Sequence, residues 1–369
     1  MSYPSYPPQP SSSYPQQPQQ PSGVDSRRWA HPHPEPRLYP QMLRTWDYVW
    51  WKPLVGALLM AVGGLLLMPL LLMPVLVVGV VLQGGSGSFA DRFASAASLD
   101  SVTPASMLYL NLSLASLTLV AWFLVRFLHR MRPRWLSSVL PGMRWKFFFA
   151  CLGLSVIALV ASLVVGALLP HDANDLSGTP HLPTGQLLAT AIVILFTTPL
   201  QAIGEEYGFR GYLMQAFGSF FDGVAEGMNI SRRTAQIAAC TLALLITSGL
   251  FALAHGVQNF PLFFDRFAFG MIAGLIVILV GGLEAGIALH ILNNLLAFGI
   301  AIAYNQLDST LTVSEASWWQ LPVTIVQNGV FLLLVLWVAR RMGLRSTTAP
   351  PAPGAGGQTA PVGAVRPVM

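Results

Sequence analysis

The sequence predicts an all-α protein, a polytopic membrane helix bundle with eight transmembrane helices and disordered N- and C-terminal tails. Of its 369 residues, 54% are hydrophobic and only 9% are charged, whereas soluble globular domains are about a quarter charged. The apolar residues also fall in long blocks, and about 20 apolar residues suffice to cross a bilayer as a helix. The two cysteines, Cys151 and Cys240, each lie inside such a block. They match no metal-ligand spacing, so we expect both to be small buried hydrophobic residues.

The two ends of the chain have a different composition. Eleven prolines fall within the first forty positions, mixed with glutamine, serine and tyrosine. Such a stretch cannot bury a core, so residues 1–45 are expected to form a disordered, partly polyproline-II tail. It is not a signal peptide, because no apolar segment follows the start within about thirty residues. Residues 346–369, rich in proline, glycine and alanine, are expected to form a second disordered tail.

Between the tails, the apolar blocks predict eight spans in three parts. The first three spans occupy residues 46–185, a core segment covers 186–303, and the last span lies in 304–345. Pro69 and Pro74 are expected to kink the long first span. The blocks run over about 53–82, 106–129, 146–169, 186–204, 236–257, 266–283, 285–303 and 319–339.

The lysines and arginines predict the orientation of the spans. With eight spans and a cytoplasmic N-terminus, 18 of the 20 basic residues lie on the cytoplasmic side, and only Arg92 and Arg266 lie outside. The positive-inside rule predicts this bias, so both termini should be cytoplasmic. The basic excess then serves orientation in the lipid bilayer and contact with anionic lipid, and no nucleic-acid partner is expected. Arginine outnumbers lysine 18 to 2, which indicates a GC-rich genome and hence a bacterial plasma membrane.

Four ionisable side chains fall within or at the ends of the predicted spans. Glu205 and Glu206 end the fourth block, His255 comes near the end of the fifth, and His290 comes early in the seventh. Ionisable groups are costly inside a membrane and usually mark a functional site. Because all four fall in the C-terminal half of the chain, we expect them to form one shared site.

Helix spacing suggests how the residues of this site divide their roles. Residues four apart share a helix face, so Glu206 and Arg210 can form an ion pair that leaves Glu205 free to act on water or substrate. His290 and Asn294 share a face by the same spacing. An asparagine amide one turn from a catalytic histidine can donate to a developing oxyanion.

Two kinds of chemistry fit this set of residues. One is a metal centre, with Zn²⁺ held by Glu205, His255 and His290, that activates water. The other is a metal-free general base, in which a buried glutamate of raised pKa is assisted by the histidines. The sequence leaves both open.

These residues resemble a known protein family. The chain carries three motifs similar to those of the CAAX-protease and bacteriocin-processing family, often called Abi proteases: Glu205-Glu206-x-x-x-Arg210, Phe251-x-x-x-His255 and His290-x-x-x-Asn294. The match spans roughly residues 186–300. The prenyl-protein protease branch of that family has an eight-span architecture, in agreement with the number of blocks.

The resemblance implies a function and a role for each motif residue. It implies an intramembrane endopeptidase that acts on a membrane-associated protein or peptide, such as a prenylated C-terminal peptide or a bacteriocin leader. Glu205 would activate the water, assisted by His255 and His290 either directly or through a metal. Asn294 would stabilise the oxyanion, and Glu206 and Arg210 would form a supporting pair.

The depth of His255 poses a difficulty for this site. If the fifth span starts at Gln236, His255 lies nineteen residues along, roughly 28 Å at about 1.5 Å per residue, which is too far from Glu205. Either the fourth helix carries Glu205 deeper, or residues 232–243 lie along the membrane surface. We favour the second arrangement, with a span that continues to about Phe264 and His255 near mid-depth.

Two other functions remain as alternatives. A non-catalytic immunity or scaffold protein of the same family would keep the constellation for binding alone. An ion-coupled secondary transporter could use buried glutamate and histidine as proton relays. Transporters usually show two related halves, and the first three spans here lack buried charge and resemble nothing in the second half.

Overall fold

A computed structural model of the chain describes residues 32–170, 179–228 and 230–350. The described part is helical and contains no β-strand, only two isolated bridges. Eight of its helices are long and apolar enough to cross a membrane, as predicted. Two short helices, α2 and α9, lie between the long ones. The ten helices in chain order are α1 (Lys52–Gln83), α2 (Phe89–Ser98), α3 (Pro104–Leu128), α4 (Trp145–Leu168), α5 (Gly185–Glu226), α6 (Arg232–Leu253), α7 (Phe260–Val280), α8 (Glu284–Ala303), α9 (Leu307–Leu311) and α10 (Gln320–Arg341).

Both ends of the described chain lie on the same side of the bundle, here called the terminal face. Leu38 forms an antiparallel bridge with Thr347, and the Tyr39 hydroxyl donates to the carbonyl of Leu136 in the loop between α3 and α4. The loops on the opposite face also contact one another, for example where Val102 N donates to Asp308 Oδ1 at 2.8 Å. An even number of crossings follows from this arrangement.

Part of the predicted N-terminal tail is ordered, which corrects its boundary. Residues 32–45 pack on the terminal face, and Tyr39 is fully buried there. Pro40 lies against Gly218 of α5 so closely that a Cβ at Gly218 would come within 2.8 Å of the Pro40 carbonyl carbon. The remaining parts of the predicted tails, 1–31 and 351–369, lie outside the described residues.

Helix α1 presents leucine and valine side chains to the exterior on most of its circumference. Leu65 and Leu82 are 72% and 80% exposed, an exposure that only a lipid environment makes favourable for an apolar helix. The turn at Gly63–Leu67 is π-helical. Gly63 and Gly64 face Val120 and Leu117 of α3 there, so the small residues allow close helix packing.

Helix α5 is much longer than the predicted block 186–204. It continues without a break through Glu206–Glu226, beyond the point where the apolar block ends. Part of this extension is polar, so hydropathy alone does not predict it. The extension is stabilised by α6 and residues 39–41, which pack against it. Glu205 therefore lies in the middle of a long helix, whereas the sequence placed it at the end of the fourth span.

The depth of Glu205 follows from its neighbour Gly204. A Cβ at Gly204 would overlap the Leu114 carbonyl oxygen and lie 2.7 Å from the Ala115 Cα. Leu114 is near the centre of α3, a helix of 25 residues. Glu205 consequently lies level with the centre of α3, deeper along the bundle than the predicted end of the fourth span, which is the arrangement that we had not preferred.

The expected late start of the fifth span is wrong. Helix α6 is regular from Arg232, where Ser231 caps it by accepting from Thr234 N, to Leu253. It does not continue to Phe264, because Gly256 (φ +84°) ends the turn that follows it and α7 starts at Phe260. The first turns of α6 lie beside the extension of α5, so residues 232–243 are no separate surface segment.

Candidate functional site

The tandem glutamates lie where α5 changes its winding. Helix α5 is α-helical up to Glu205 and π-helical from Glu206 to Leu213. Such π-helical turns are uncommon and are frequent at functional sites. Both carboxylates are almost fully buried, with Glu205 6% and Glu206 0% exposed, so each needs partners within the protein.

His290 of α8 lies between the two carboxylates. Its Nδ1 is 2.9 Å from Glu206 Oε1, and its Nε2 is 3.2 Å from Glu205 Oε2. A carboxylate that accepts from one imidazole nitrogen fixes the tautomer and leaves the other nitrogen for a reacting group. Glu206 thereby orients the ring so that Nε2 faces Glu205.

The expected ion pair between Glu206 and Arg210 is present. Arg210 Nη1 lies 3.0 Å from Glu206 Oε1, and both side chains are buried. The Arg210 guanidinium also stacks on two aromatic rings, 3.9 Å from the centroid of Phe251 and 5.3 Å from that of Phe269. The positive charge is thus paired on one side and covered by aromatic faces on the other.

Asn294 lies at the same site but has a partner that sequence reasoning missed. Its amide Nδ2 donates to Gln201 Oε1 at 3.1 Å. Gln201 lies one turn before Glu205 on α5 and interacts with the Glu205 carboxylate. A glutamine in the middle of an apolar helix is a signal that could have identified it, by the same reasoning that identified His290.

His255 lies at the edge of the site, in the turn after α6. The residue as a whole is exposed, its part-buried Nδ1 is 2.8 Å from the Phe251 carbonyl oxygen, and its imidazole interacts electrostatically with Glu205. The Phe251 ring contacts both imidazoles, with centroids 4.9 Å from His255 and 5.9 Å from His290. The structure thus brings the residues of the three motifs together, with His255 as the more exposed of the two histidines.

The residues do not form a ready metal site. Within residues 32–170, 179–228 and 230–350, no group of three His, Cys, Asp or Glu side chains is arranged to hold a metal ion. Glu205 and His290 face each other directly, and one nitrogen of His255 is engaged with a backbone carbonyl. Zn²⁺ bound by Glu205, His255 and His290 therefore stays a prediction, and the chemistry below uses only protein groups.

Comparisons with known proteins agree with the geometry of this segment. Residues 187–296 match a family model described as "Type II CAAX prenyl endopeptidase Rce1-like". This segment is similar to the CAAX-protease family. Over 234 residues, 60% of this chain and 71% of the relative, the chain is also 24% identical to "Uncharacterized protein YyaK" of Bacillus subtilis (strain 168). No solved structure matches the chain.

The match to the CAAX-protease family confirms the resemblance drawn from the three motifs. It runs from the start of α5 into α8 and includes Glu205, His255 and His290. At the level of the family it supports a CAAX-type intramembrane protease in a multi-pass membrane protein. Helix α10 and the ordered residues 32–45 lie outside the matched segment.

Proposed function

We propose that this chain is an intramembrane endopeptidase that hydrolyses a peptide bond of a membrane-associated protein or peptide. One observation carries the proposal: the Glu205 carboxylate, buried level with the centre of the membrane-spanning helix α3, faces Nε2 of His290 at 3.2 Å. A carboxylate and an imidazole at this distance can share a proton. Inside the bilayer, such a pair has a use only if water reaches it or if it pairs with a ligand.

Glu205 would act as the general base. Its carboxylate removes a proton from a water molecule as the water oxygen attacks the carbonyl carbon of the substrate. His290 Nε2 shares this proton, because the Glu206 carboxylate holds Nδ1–H. The proton then passes to the amine nitrogen as the carbon–nitrogen bond breaks, which yields a new carboxyl end and a new amine end.

Asn294 would stabilise the oxyanion that forms in this step. One hydrogen of its Nδ2 amide is donated to Gln201, which orients the amide, and the second hydrogen can donate to the oxyanion. Amide donors of this kind typically contribute about 3–4 kcal/mol to the stabilisation of the transition state. His255, the more exposed of the two histidines, would contact the substrate backbone.

The decisive test is cleavage of a membrane-anchored reporter by the purified protein in detergent. Glu205→Gln should abolish cleavage while its elution volume and melting temperature stay those of the wild type. Glu315→Gln, which changes an exposed carboxylate on the opposite face, is the matched control and should cleave normally. Full activity of Glu205→Gln would remove Glu205 from its role, and an inert, folded wild type would favour the non-catalytic alternative.

The orientation in the cell belongs to the same proposal. The bias of the basic residues supports a terminal face in the cytoplasm, in a bacterial plasma membrane. A cysteine placed at Ser346 should then be labelled by a membrane-impermeant reagent only after the cells are opened.

A further inference from the structure

An open groove runs along the outside of the bundle between α1 and α3. It lies on the half of these helices away from the terminal face and has a volume of about 470 Å³. Its lining is apolar and consists of Pro74, Val75, Val78, Gly79, Leu82 and Leu108. Val78 and Leu82 are exposed, and apolar side chains on the outside of a spanning helix are favourable only against hydrocarbon. The groove therefore has the shape and chemistry to receive a lipid chain.

The groove follows the closest approach of α1 to α3. Gly79 lies against Ala105 so closely that a Cβ at Gly79 would come within 2.3 Å of the Ala105 Cβ. Because the glycine has no side chain, the two helices touch at this point. The larger side chains of Val75, Val78 and Leu82 line the groove beside this contact. Since the helices are in direct contact, the groove is a fixed feature of their packing.

A guanidinium lies beyond the end of this groove. Arg92 of α2 donates from Nη1 to the carbonyl of Gly85 at 3.2 Å, and Gly85 comes three residues after Leu82. Arg92 is half-buried, and its Nε is buried without a partner. Within the described part of the chain, no carboxylate lies within ion-pair distance of Arg92. The guanidinium therefore has hydrogens left to bind an anion, and phosphate suits its geometry.

The charge around Arg92 is otherwise acidic. The segments that connect the long helices on this side of the bundle contain six aspartates and glutamates but only one lysine or arginine, Arg92; they are residues 84–103, 169–184, 254–259 and 304–319. This excess disfavours a headgroup that carries only negative charge. A headgroup with both a phosphate and an ammonium can pair with both signs. Asp91, the exposed residue before Arg92, supplies a carboxylate for the ammonium.

We propose that α1, α2 and α3 form a binding site for a zwitterionic phospholipid with an ammonium headgroup, of the phosphatidylethanolamine class. An acyl chain occupies the groove, the phosphate binds Arg92, and the ammonium faces the neighbouring carboxylates. The bound lipid thereby joins α2 to the contact between α1 and α3 from the outside. The site lies outside the segment that matches the CAAX-protease family, residues 187–296, and the inference does not rest on the proposed function.

Native mass spectrometry of the purified full-length protein, with lipid added to the detergent, tests this inference. Phosphatidylethanolamine and phosphatidylglycerol are offered with identical acyl chains, so that only the headgroup differs. We expect the wild type to bind phosphatidylethanolamine about threefold to fivefold more tightly, the range of an exposed ion pair. Glycerophosphoethanolamine, which has the headgroup but no acyl chains, should not compete, because the groove contributes to binding.

Variants of the two parts of the site locate the binding. Arg92→Gln should weaken the binding of phosphatidylethanolamine about tenfold, since it removes a charge-assisted hydrogen bond. Val78→Trp should weaken it as well, because the indole fills the groove. Val81→Trp is the matched control: Val81 is similarly exposed on α1 but does not line the groove, so this variant should bind as the wild type does. Melting temperatures measured without added lipid check that the variants are folded.

Several results would overturn the inference. These are equal binding of the two lipids or a preference for phosphatidylglycerol, wild-type binding by Arg92→Gln, and an equal loss in Val78→Trp and Val81→Trp. Competition by glycerophosphoethanolamine would likewise exclude the groove as the site of the acyl chain. No measurement here depends on cleavage, so a failure of the proposed function leaves this inference intact, and a failure of this inference leaves the proposed function intact.

Discussion

The guanidinium of Arg210 lies 3.9 Å above the ring of Phe251. This contact joins the first motif, on α5, to the second motif, on α6, and the same ring touches both imidazoles of the site. The opposite edge of the guanidinium pairs with Glu206. Arg210 thus links Glu206 of α5 to the Phe251 ring of α6, and that ring contacts both His255 and His290.

Removing Arg210 should destabilise the fold more than removing the whole ion pair. Arg210→Leu leaves the buried Glu206 charge without its cationic partner and with only the hydrogen bond from His290; breaking a buried ion pair in this way typically costs about 3–5 kcal/mol. The double variant Arg210→Leu with Glu206→Gln should recover part of this loss. Thermal unfolding of the purified variants in one detergent measures the difference, and a double variant less stable than Arg210→Leu would contradict the prediction.

Gln201 should act as a positioning residue. Gln201→Leu removes the acceptor of Asn294 and a neighbour of Glu205, so we expect kcat to fall about tenfold or more with little change in KM. Gln201→Asn should rescue little, because its shorter amide cannot reach across to α8. Thr190→Val, on the same helix and bonded only to its own backbone at Gln186, is the control; an equal loss in both would point to general damage of α5.

Metal dependence can be measured directly. Because the proposed general-base chemistry uses only protein groups, we expect less than one equivalent of Zn²⁺ in the purified protein and cleavage that survives chelation. Elemental analysis, with activity before and after a chelator, checks both. Stoichiometric zinc that is lost in His290→Ala would establish the metal-bound alternative.

A methyl group at Gly204 should disturb the site through the backbone. A Cβ there would overlap the Leu114 carbonyl, so Gly204→Ala must displace α5 from α3 at a cost of about 1–3 kcal/mol, and cleavage should fall with it. Gly249→Ala is the opposite case, since nothing lies within 4 Å of its Cβ position. That variant should be as stable as the wild type or about 0.5–1 kcal/mol more stable. Equal changes in the stability of Gly204→Ala and Gly249→Ala would refute the packing argument.

Acid should release the ordered N-terminal segment. Burial lowers the pKa of His33 to about 4, and its neutral ring lies with Nε2 2.8 Å from the Met42 carbonyl. Since the unfolded pKa is about 6.5, the stabilisation is complete above that pH and is lost as pH falls from about 6.5 towards 4, by roughly 3 kcal/mol. Protease cleavage within residues 32–45 should therefore accelerate over this interval in the wild type. In His33→Gln, which cannot take up a proton, the acceleration should be absent; if it persisted, another group would be responsible.

The sequence predicted the number of spans and the pairing within single helices, because both depend on local spacing. Glu206 and Arg210 pair as their separation of four requires. The bond between Asn294 and Gln201 joins two helices, so no local pattern reveals it. The extent of α5 was missed for a related reason, since its polar continuation is stabilised by contacts from distant parts of the chain.

The ordered part of the proline-rich tail was also missed, since its composition is that of a disordered segment. Its order depends on Asp222, near the end of α5, which accepts from Gln41 Nε2 at 2.7 Å and pairs with Arg37 and Arg44. A buried carboxylate with three partners outweighs a local preference for disorder. Composition alone cannot show that such a partner exists elsewhere in the chain.

The bridge between Leu38 and Thr347 places the two ends of the ordered chain side by side. A short linker could join them, and new termini could be opened in any loop of the terminal face without changing the direction in which any helix crosses the bilayer. Circular permutants of this kind would reorder the insertion of the helices during synthesis while keeping every contact of the site. They would reveal whether α5 must enter the membrane before the helices that enclose its carboxylates.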